Sequence, residues 1–495
     1  MATKRIRRRM SRLAFAAVGI ALGGMVAFQP IAPARAQGPV SVADLAENLA
    51  DAVVNISTAQ TVQGHRSVPM PQVPEGSPFQ EFFEEFFNRQ NRENDQPRKV
   101  QSLGSGFVID GTEGIIITNN HVIEGADEIT ANFNDGTKLR AEIIGSDEKT
   151  DLAVLKVEPE TPLKDVNFGD SDKIRVGDWV MAIGNPFGLG GTVTVGIVSA
   201  RNRDINSGPY DNFIQTDASI NRGNSGGPLF DMDGNVIGIN TAIISPSGGS
   251  IGIGFAIPAK TALNVIEQLR EFGETRRGWL GVRIQEVTDE IAESLGMKHA
   301  MGALVAGVTD DGPAAKAKIE PGDVIVKFDG RTVDVMRELP RMVAETAIGK
   351  EVAVVVLRKG KEVDISVTLE RLEENDVKEA KATTEDQPED EPVEKSEVLG
   401  MMLAELDDSL RQQFSIEDDV SGVVVTEVLP GSSAEEKRVT AGDVIKEVAQ
   451  EPVATPADVE AEIKKLKDGG RRSALLLLAN PTGDVRFVPV RIEDE

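Results

Sequence analysis

The residue types that this sequence lacks exclude several kinds of chemistry. Its 495 residues include no cysteine, only three histidines and few aromatic side chains. Without cysteine, the chain has no disulfide bond, no thiol nucleophile and no cysteine-based metal site. No H-E-x-x-H string accompanies the histidines, which excludes the zinc-protease motif. We therefore expect neither a metal nor a cofactor. Any reaction that needs a histidine base must use His65, His121 or His299.

Acidic side chains outnumber basic ones beyond the first 36 residues. The chain has a formal net charge of −27, although residues 1–36 contribute seven basic and no acidic side chains. The remainder is therefore more acidic than the whole. Such a surface repels phosphate backbones and anionic lipids, so we expect neither nucleic acid nor a membrane surface as a partner.

The first 36 residues have the pattern of an export signal. A basic segment is followed by an apolar stretch from Leu13 to Phe28, and Ala34-Arg35-Ala36 forms an A-x-A site. This pattern predicts a signal peptide over residues 1–36 that is cleaved after Ala36. An uncleaved membrane anchor is the alternative, but sixteen residues are short for a membrane span. Both the ordinary secretory route and the twin-arginine route fit the arginines.

The string Gly223-Asn224-Ser225-Gly226-Gly227-Pro228 carries the strongest functional signal. A serine among glycines on a tight turn supplies an exposed hydroxyl together with backbone N–H groups that converge on one point. These are the nucleophile and the oxyanion hole of acyl transfer. A hydroxyl also needs a histidine base, and the base needs a carboxylate that orients it.

His121 is the predicted base because it follows the apolar run Ile115–Thr118, which reads as a buried strand. His65 lies in a polar, irregular stretch, and His299 lies in a later module. Asp151, at the head of another apolar strand, is the predicted acid, although aspartate is also common in turns that start strands.

The order of these three residues predicts the fold. The string Gly223-x-Ser225-x-Gly227 also matches the nucleophile elbow of α/β-hydrolases, but in that fold the histidine follows the serine. The order His121, Asp151, Ser225 is typical of the chymotrypsin-like double β-barrel. Short Val- and Ile-rich runs between residues 101 and 258 agree with it. We therefore predict a mainly β fold with a protease domain over residues 37–272.

Two segments of this domain depart from the pattern of short strands. Residues 58–100 are polar and irregular, which predicts a flexible regulatory loop. Five phenylalanines between Phe79 and Phe87 lie in it, either as a short amphipathic helix on their own domain or as an aromatic lid at an interface. Residues 259–272 read as an amphipathic helix that ends at Gly273. A basic, flexible-looking joint follows at residues 275–278.

The rest of the chain contains an internal repeat. Residues 278–372 and 398–495 share a Gly-Asp-Val-Ile landmark at a spacing of 120 residues, and each copy has the size of a small α+β domain. Helical segments are predicted near Met336–Ala344 and Pro456–Leu466. Residues 373–397 between the copies are rich in charge and lack an apolar period, which indicates a solvated acidic linker.

Four motifs together resemble the bacterial periplasmic HtrA/DegP-type (Do-like) serine endoproteases, in which two PDZ domains follow the protease domain. The resemblance spans essentially all 495 positions. The motifs are Thr118-Asn119-Asn120-His121-Val122, Asp151-Leu152-Ala153-Val154-Leu155-Lys156, the Ser225 string, and Gly252-Ile253-Gly254-Phe255-Ala256-Ile257-Pro258.

The resemblance implies a role for each candidate site residue. Ser225 would be the nucleophile, His121 the general base and acid, and Asp151 its orienter. The implied secondary sites are an oxyanion hole of Gly223, Asn224 and Ser225, a specificity pocket of Ile220, Ile251 and Ile253, a regulatory Arg203 with Arg201 as rival, and peptide-binding loops at Leu280, Gly281 and Val282 and at Leu399, Gly400 and Met401.

The resemblance also implies a function and partners. The chain would be an ATP-independent endoprotease of misfolded or unfolded periplasmic proteins, whose C-termini bind the PDZ domains. It would form trimers or multiples of trimers. A holding chaperone with secondary proteolysis is the alternative, which the complete set of His121, Asp151 and Ser225 disfavours.

Overall fold

The structure is a computed structural model. It describes residues 41–62, 98–186, 191–221, 223–243, 250–372 and 396–492. These residues form two closed six-stranded barrels, followed by two modules that each combine a sheet with short helices. The expected mainly β class, with a double barrel and two α+β modules, is confirmed. The α/β-hydrolase alternative is excluded, because the nucleophile motif lies in a β-barrel rather than in an open parallel sheet.

The first barrel follows helix α1 (Ala43–Ala50) and has the strand order β1-β2-β3-β6-β5-β4. Its strands are β1 (Val53–Val62), β2 (Arg98–Asp110), β3 (Ile115–Thr118), β4 (Glu128–Asn132), β5 (Lys138–Asp147) and β6 (Leu152–Lys156). Strand β3 is buried at all four positions, which explains its uninterrupted apolar sequence. The one-turn helix α2 (Asn120–Ile123) follows it directly.

The second barrel has the strand order β10-β11-β12-β9-β8-β7. Its strands are β7 (Trp179–Gly184), β8 (Thr192–Arg203), β9 (Phe213–Thr216), β10 (Pro228–Phe230), β11 (Val236–Ile243) and β12 (Gly254–Pro258). Helix α3 (Ala259–Phe272) then packs on β5, β6 and β11 of both barrels. It ends at Gly273, whose φ of 73° is left-handed and whose N–H donates to the Leu269 carbonyl. The predicted helix and its stop are confirmed.

The expected irregular segment is shorter than predicted. Strand β1 continues to Val62 and β2 begins at Arg98, and these two residues face each other in the ladder. Residues 58–62 and 98–100 are therefore paired strand rather than loop. The phenylalanine cluster and the export signal lie outside the described residues. Among the described helices, none combines the length and apolarity that a membrane span requires.

The joint after α3 is anchored, contrary to the expectation of flexibility. The Arg277 guanidinium forms an ion pair with Asp147 at the end of β5, and the two side chains are only 10% and 6% exposed. Thr275 Oγ1 donates to Asp147 Oδ1 at 3.0 Å, and the guanidinium lies over the Tyr210 ring, 4.8 Å from its centroid. Burial alone would raise the pKa of Asp147, but Arg277 and the hydroxyls of Thr150 and Thr275 lower it below its usual value.

The first module contains one main sheet in the order β14-β15-β16-β18-β19, with β17 beside β16, and a separate β13–β20 pair. Its strands are β13 (Gly278–Trp279), β14 (Val282–Glu286), β15 (Ala303–Val308), β16 (Val324–Phe328), β17 (Arg331–Thr332), β18 (Glu351–Arg358), β19 (Lys361–Thr368) and β20 (Glu370–Arg371). Its helices are α4 (Asp289–Ser294), α5 (Pro313–Lys316) and α6 (Glu338–Ala344), the last matching a predicted helix.

The second module repeats this plan with the order β21-β22-β23-β24-β26-β27 and β25 beside β24. Its strands are β21 (Ser396–Val398), β22 (Met401–Glu405), β23 (Val423–Val428), β24 (Val444–Val448), β25 (Glu451–Pro452), β26 (Ser473–Ala479) and β27 (Val485–Arg491). Its helices are α7 (Asp408–Gln413), α8 (Ser433–Glu436) and α9 (Pro456–Asp468). A Thr455–Asp458 capping box starts α9, which confirms the other predicted helix. Ser396 and Glu397, expected in the linker, belong to this sheet.

The two modules share an apolar cluster, which we call the inter-module cluster. It consists of Val287, Ile291, Ala292, Leu304, Val324 and Val326 from the first module and Leu475, Leu477 and Phe487 from the second. Beside it, Gln285 Nε2 donates to the Phe487 carbonyl at 2.7 Å, and the Phe487 N–H donates to Gln285 Oε1 at 2.9 Å. The repeat therefore folds as two modules with a common buried seam.

Candidate active site

His121 and Asp151 are brought together by adjacent strands of the first barrel. His121 follows β3, Asp151 precedes β6, and the two strands pair with Thr118 opposite Ala153. Asp151 Oδ2 lies 2.7 Å from His121 Nδ1, and Oδ1 accepts the His121 backbone N–H at 2.9 Å. The carboxylate therefore fixes both the ring and the backbone of this histidine. His299 lies in the loop between α4 and β15, and His65 lies outside the described residues.

The backbone of Asp151 is in a sparsely populated conformation. Its φ is 55°, a left-handed value that costs a residue with a Cβ about 1 kcal/mol. Two contacts hold it: Asn119 Nδ2 donates to the Asp151 carbonyl at 2.7 Å, and the Asp151 N–H donates to the Glu148 carbonyl at 3.2 Å. Aspartate tolerates this region better than most residues, which suits it to this turn.

The ionisation of His121 is set by two opposing effects. Burial is the largest influence and by itself would lower the pKa. The negative charge of Asp151, its hydrogen bond and the charge of Glu124 together outweigh burial, so the pKa of His121 is raised above its ordinary value of 6.5. The imidazole is thus a stronger base than a free histidine.

Ser225 lies on a turn that only glycines can complete. Gly223 and Gly226 have φ values of 95° and 84°. A Cβ on Gly226 would lie 2.2 Å from the Ser105 carbonyl oxygen, and a Cβ on Gly223 would lie 2.7 Å from Pro186 Cβ. Both glycines are therefore required by the left-handed backbone and by close neighbours, which are Ser105 of the first barrel at Gly226 and Pro186 after β7 at Gly223.

The amides of this turn differ in their availability. The Asn224 N–H donates to the Asn221 carbonyl at 3.0 Å, and the Gly226 N–H donates to the Asn240 carbonyl at 2.7 Å. Within the described part of the chain, the amides of Gly223 and Ser225 have no acceptor. The geometry therefore corrects the three-residue oxyanion hole: the Asn224 amide is already engaged, and two candidate donors remain.

Thr241 is a site residue that sequence reasoning missed. Its Oγ1 donates to Asp151 Oδ2 at 2.5 Å, and its carbonyl accepts the Ser225 hydroxyl at 3.3 Å. The register of β11 against β12 shifts between Asn240 and Ala242, so Thr241 is the extra residue of a β-bulge. A bulge re-aims a side chain, and here it turns Thr241 of the second barrel toward the acid of the first.

Ser105 on β2 is the second residue that the sequence did not reveal. It is fully buried, and its hydroxyl donates to the Gly223 carbonyl at 2.5 Å and accepts the Asn185 N–H at 2.8 Å. Its own N–H donates to the Ser225 carbonyl at 2.8 Å, and its carbonyl accepts the Thr118 hydroxyl at 2.7 Å. One residue of the first barrel thus holds both the nucleophile turn and the strand that carries the base.

The three isoleucines predicted to line a specificity pocket have different environments. Ile220 is 2% exposed and belongs to the core of the second barrel, while Ile251 is 53% exposed and Ile253 is half-buried. A Cβ on Gly254 would lie 2.7 Å from Ile220 Cγ1, so the backbone of β12 lies directly against this side chain. No described contact joins all three isoleucines, and the pocket stays a prediction.

Arg203 and its rival Arg201 both lie at the end of β8. Arg203 Nε donates to Gln215 Oε1 on β9 at 3.0 Å, and the arginine is exposed. Arg201 instead donates to the Ser171 carbonyl at 3.2 Å and lies 4.0 Å from Asp172. Of these two arginines, Arg203 is the one whose side chain bonds to β9, the strand that precedes the turn of Ser225.

The predicted peptide-binding loops differ between the modules. In the first, the Leu280 carbonyl accepts the Ala314 N–H at 2.9 Å, Gly281 has a φ of 77°, and Val282 begins the edge strand β14. In the second, Leu399 and Gly400 form a two-residue turn, and Met401 is buried opposite Val398. Met401 is therefore paired with β21, and binding of a terminal carboxylate by the N–H groups of Leu399, Gly400 and Met401 stays a prediction.

Comparison with protein families divides the chain into three matched segments. Residues 104–239 match the model of a trypsin-like peptidase domain, and residues 278–369 and 388–477 each match the model of a PDZ domain. The matches follow the double barrel and the two modules in order.

Comparison with curated proteins and solved structures extends over most of the chain. A probable periplasmic serine endoprotease, DegP-like, of Brucella suis biovar 1 is 46% identical over 476 residues, covering 92% of this chain and 90% of the relative. The protein of the same description from Rickettsia conorii is 42% identical over 467 residues, covering 91% and 89%. The structure of the HtrA-type protease AlgW with a decapeptide is 44% identical, covers 68% of this chain and 99% of its own, and has a TM-score of 0.55.

Proposed function

Because the chain belongs to the family of DegP-like periplasmic serine endoproteases, we propose that His121, Asp151 and Ser225 are its catalytic triad. One observation carries this proposal. The Asp151 carboxylate contacts His121 Nδ1 at 2.7 Å and Thr241 Oγ1 at 2.5 Å, while the Thr241 carbonyl accepts the Ser225 hydroxyl at 3.3 Å. A single aspartate is therefore linked to the candidate base directly and to the candidate nucleophile through one residue.

The proposed reaction is hydrolysis of a peptide bond through an acyl-enzyme. Ser225 Oγ attacks the scissile carbonyl carbon and transfers its proton to His121 Nε2. The imidazolium is stabilised by Asp151, which stays ionised, and it returns the proton to the leaving amine as the carbon–nitrogen bond breaks. Water then attacks the ester by the same route, and Ser225 regains its proton. The raised pKa of His121 strengthens the base in the first step.

The proposed oxyanion donors are the amides of Gly223 and Ser225. They lie on either side of the Gly223 carbonyl group, which accepts the Ser105 hydroxyl, and Gly223 and Gly226 give the turn its left-handed backbone. Losing one such donor lowers turnover by about 10²–10³-fold in serine proteases. For specificity we propose a pocket of apolar character built by Ile220, Ile251 and Ile253, which favours small aliphatic residues before the cut. A preference for Lys or Arg in a peptide library would contradict it.

We also propose a substrate class, an export route and an assembly for the chain. The substrates are unfolded or misfolded periplasmic proteins, cleaved without ATP, and their C-termini bind the first PDZ module at Leu280, Gly281 and Val282. The chain is exported with its signal peptide cleaved after Ala36, and it assembles as trimers or multiples of trimers. Arg203 transmits the state of its surroundings to the nucleophile turn through Gln215. The complete set of His121, Asp151 and Ser225 favours proteolysis over a holding-chaperone function.

The decisive test compares the chain from residue 37 onward with its Ser225→Ala variant on unfolded β-casein without ATP. We expect cleavage by the parent alone, because the triad acts as one unit and loses nearly all activity with its nucleophile. An exposed serine of the first barrel, Ser146→Ala, is the matched control and keeps full activity. Residual cleavage by Ser225→Ala equal to that of the control would refute the assignment of the nucleophile.

A further inference from the structure

The two PDZ modules differ at one edge of their sheets. In the first module, β14 pairs with β15 on one side, and no described strand pairs with its other edge. In the second module, the equivalent strand β22 pairs with β23 on one side and with β21 on the other. Strand β21 therefore supplies to β22 the hydrogen-bonding partner that β14 lacks.

Strand β21 also lies against helix α9, so it occupies the groove between β22 and α9. Val398 is 7% exposed and shares a cluster with Val459 and Ile463 of α9. The Ser396 hydroxyl is hydrogen-bonded to the Glu460 carboxylate on the same helix. A slot between a free strand edge and a helix is where PDZ domains add an extended peptide as a further strand. In the second module the chain's own Ser396–Val398 occupies it.

The burial of the edge strands gives an independent sign of this occupancy. Val282 and Ile284 of β14 are only partly buried. Their counterparts in the second module, Met401 and Leu403, are both fully buried within the cluster that includes Val398. The side chains that would face a peptide are thus available in the first module and covered in the second.

The turn that precedes each edge strand explains the difference. Leu399 and Gly400 have φ values of 54° and 76°, and Val398 faces Met401 across them. Two left-handed residues form the type I′ turn of a tight hairpin, which folds the preceding residues directly back along β22. In the first module β13 pairs instead with β20, where Trp279 faces Glu370, and it leaves β14 open.

We propose that the groove between β22 and α9 is a strand-binding surface whose resident ligand is Ser396–Val398, so that peptides reach the second module only after β21 leaves it. A tethered segment competes at an effective concentration on the order of millimolar. A resident segment that would bind with a Kd of about 10 μM as a free peptide therefore weakens the apparent affinity of any competing peptide by roughly 10²-fold. This proposal depends on the PDZ fold and not on the assignment of the catalytic residues.

The test measures peptide stoichiometry on the chain from residue 37 onward, in a Ser225→Ala background that prevents cleavage of the probe. The probe is a fluorescein-labelled peptide copying residues 393–398 with a free carboxyl group at its end. Val398→Asp places an unpaired charge in the apolar slot and should expel β21. We expect this variant to bind one more equivalent of probe per chain than the parent does. Val335→Asp, at an exposed valine of the first module, adds the same charge and should leave the stoichiometry unchanged.

A cysteine pair makes the test independent of that variant's stability. Glu397 and Met402 face each other across the hairpin, so Glu397→Cys with Met402→Cys should form a disulfide in this otherwise cysteine-free chain. We expect the oxidised form to bind no probe at the second module and the reduced form to regain weak binding there. Equal binding by both forms, failure of the disulfide to form, or a folded Val398→Asp variant with unchanged stoichiometry would each overturn the proposal.

Discussion

The two barrels contribute to the site in different ways. In the first, His121 and Asp151 follow and precede strands that pair with each other, so the ladder of that barrel fixes their separation. In the second, Ser225 lies on a turn of glycines whose carbonyl groups are held by Ser105 of the first barrel. His121 and Asp151, the proposed base and acid, are therefore positioned within one barrel, whereas Ser225, the proposed nucleophile, is positioned by contacts between the two barrels.

The largest expected effect comes from removing the charge within the first barrel. Asp151→Asn keeps the shape of the side chain but no longer stabilises the His121 tautomer that donates through Nδ1. In a serine protease this exchange lowers kcat by about 10⁴-fold, and we expect a loss of that order in casein cleavage. Asp135→Asn, at an exposed aspartate of the same barrel, is the control. A loss below tenfold would mean that the ladder alone positions the base.

A smaller effect, on the free energy of unfolding, is expected from breaking the ion pair by which Asp147 of the first barrel holds Arg277, in the segment that leads to the PDZ modules. Arg277→Ala leaves the buried Asp147 carboxylate without its cation, and breaking a buried ion pair costs about 3 kcal/mol in the free energy of unfolding. Urea unfolding would measure this change. The double variant Arg277→Met with Asp147→Asn removes both charges and should recover most of the loss. If the single variant is as stable as the double variant, the ion pair does not anchor the segment.

The stabilisation by this pair depends on pH in a definite direction. The pKa of Asp147 is lowered in the folded chain, so its contribution is complete above the ordinary pKa of an aspartate and is lost as the pH falls through the folded pKa. Arg277→Ala should therefore differ most from the parent near neutral pH.

The next effect, on kcat, is expected from removing the Ser105 hydroxyl at the contact between the two barrels. Ser105→Ala removes the hydroxyl that bridges Gly223 and Asn185 but leaves the triad residues in place. We expect kcat to fall by roughly tenfold with KM nearly unchanged, because the oxyanion turn loses a charge-neutral hydrogen bond of about 1 kcal/mol. Ser57→Ala on β1 removes a hydroxyl that bonds only within the first barrel and serves as the control. A rise in KM alone would place Ser105 in substrate binding instead.

The smallest effect concerns the acid limb of the pH profile. Glu124 raises the pKa of His121 less than the charge and the hydrogen bond of Asp151 do, so Glu124→Gln should move the fall in kcat/KM slightly to lower pH, with little change in the alkaline range. Glu128→Gln, an exposed glutamate on β4, should leave the profile in place. A shift to higher pH would contradict the sign of the interaction.

Protonation of His121 has opposite effects on the stability of the fold and on the proposed catalytic activity. Because its pKa is raised in the folded chain, the stabilisation it provides is complete below its ordinary pKa and is lost as the pH rises through the folded value. The neutral imidazole that catalysis requires is therefore the less stabilising form.

The sequence predicted the residues that have a local signature and missed those that do not. His121 and Ser225 were identified because histidines are rare and the glycine string is specific. Thr241 and Ser105 have no such pattern. The Thr241 hydroxyl bonds to Asp151, 90 positions away, and the Ser105 hydroxyl to Gly223, 118 positions away, and these contacts depend on a β-bulge and on the packing of the two barrels. The two Leu-Gly dipeptides look alike in sequence, yet only Leu399-Gly400 closes a tight hairpin, since the direction of the preceding strand depends on tertiary contacts.

The inter-module cluster has a consequence for how the two PDZ modules unfold. Val326 of the first module and Phe487 of the second belong to one buried cluster, so unfolding of either module would expose apolar surface of the other. Loss of structure in one module would therefore remove buried contacts from the other, and we expect the pair to unfold as one cooperative unit.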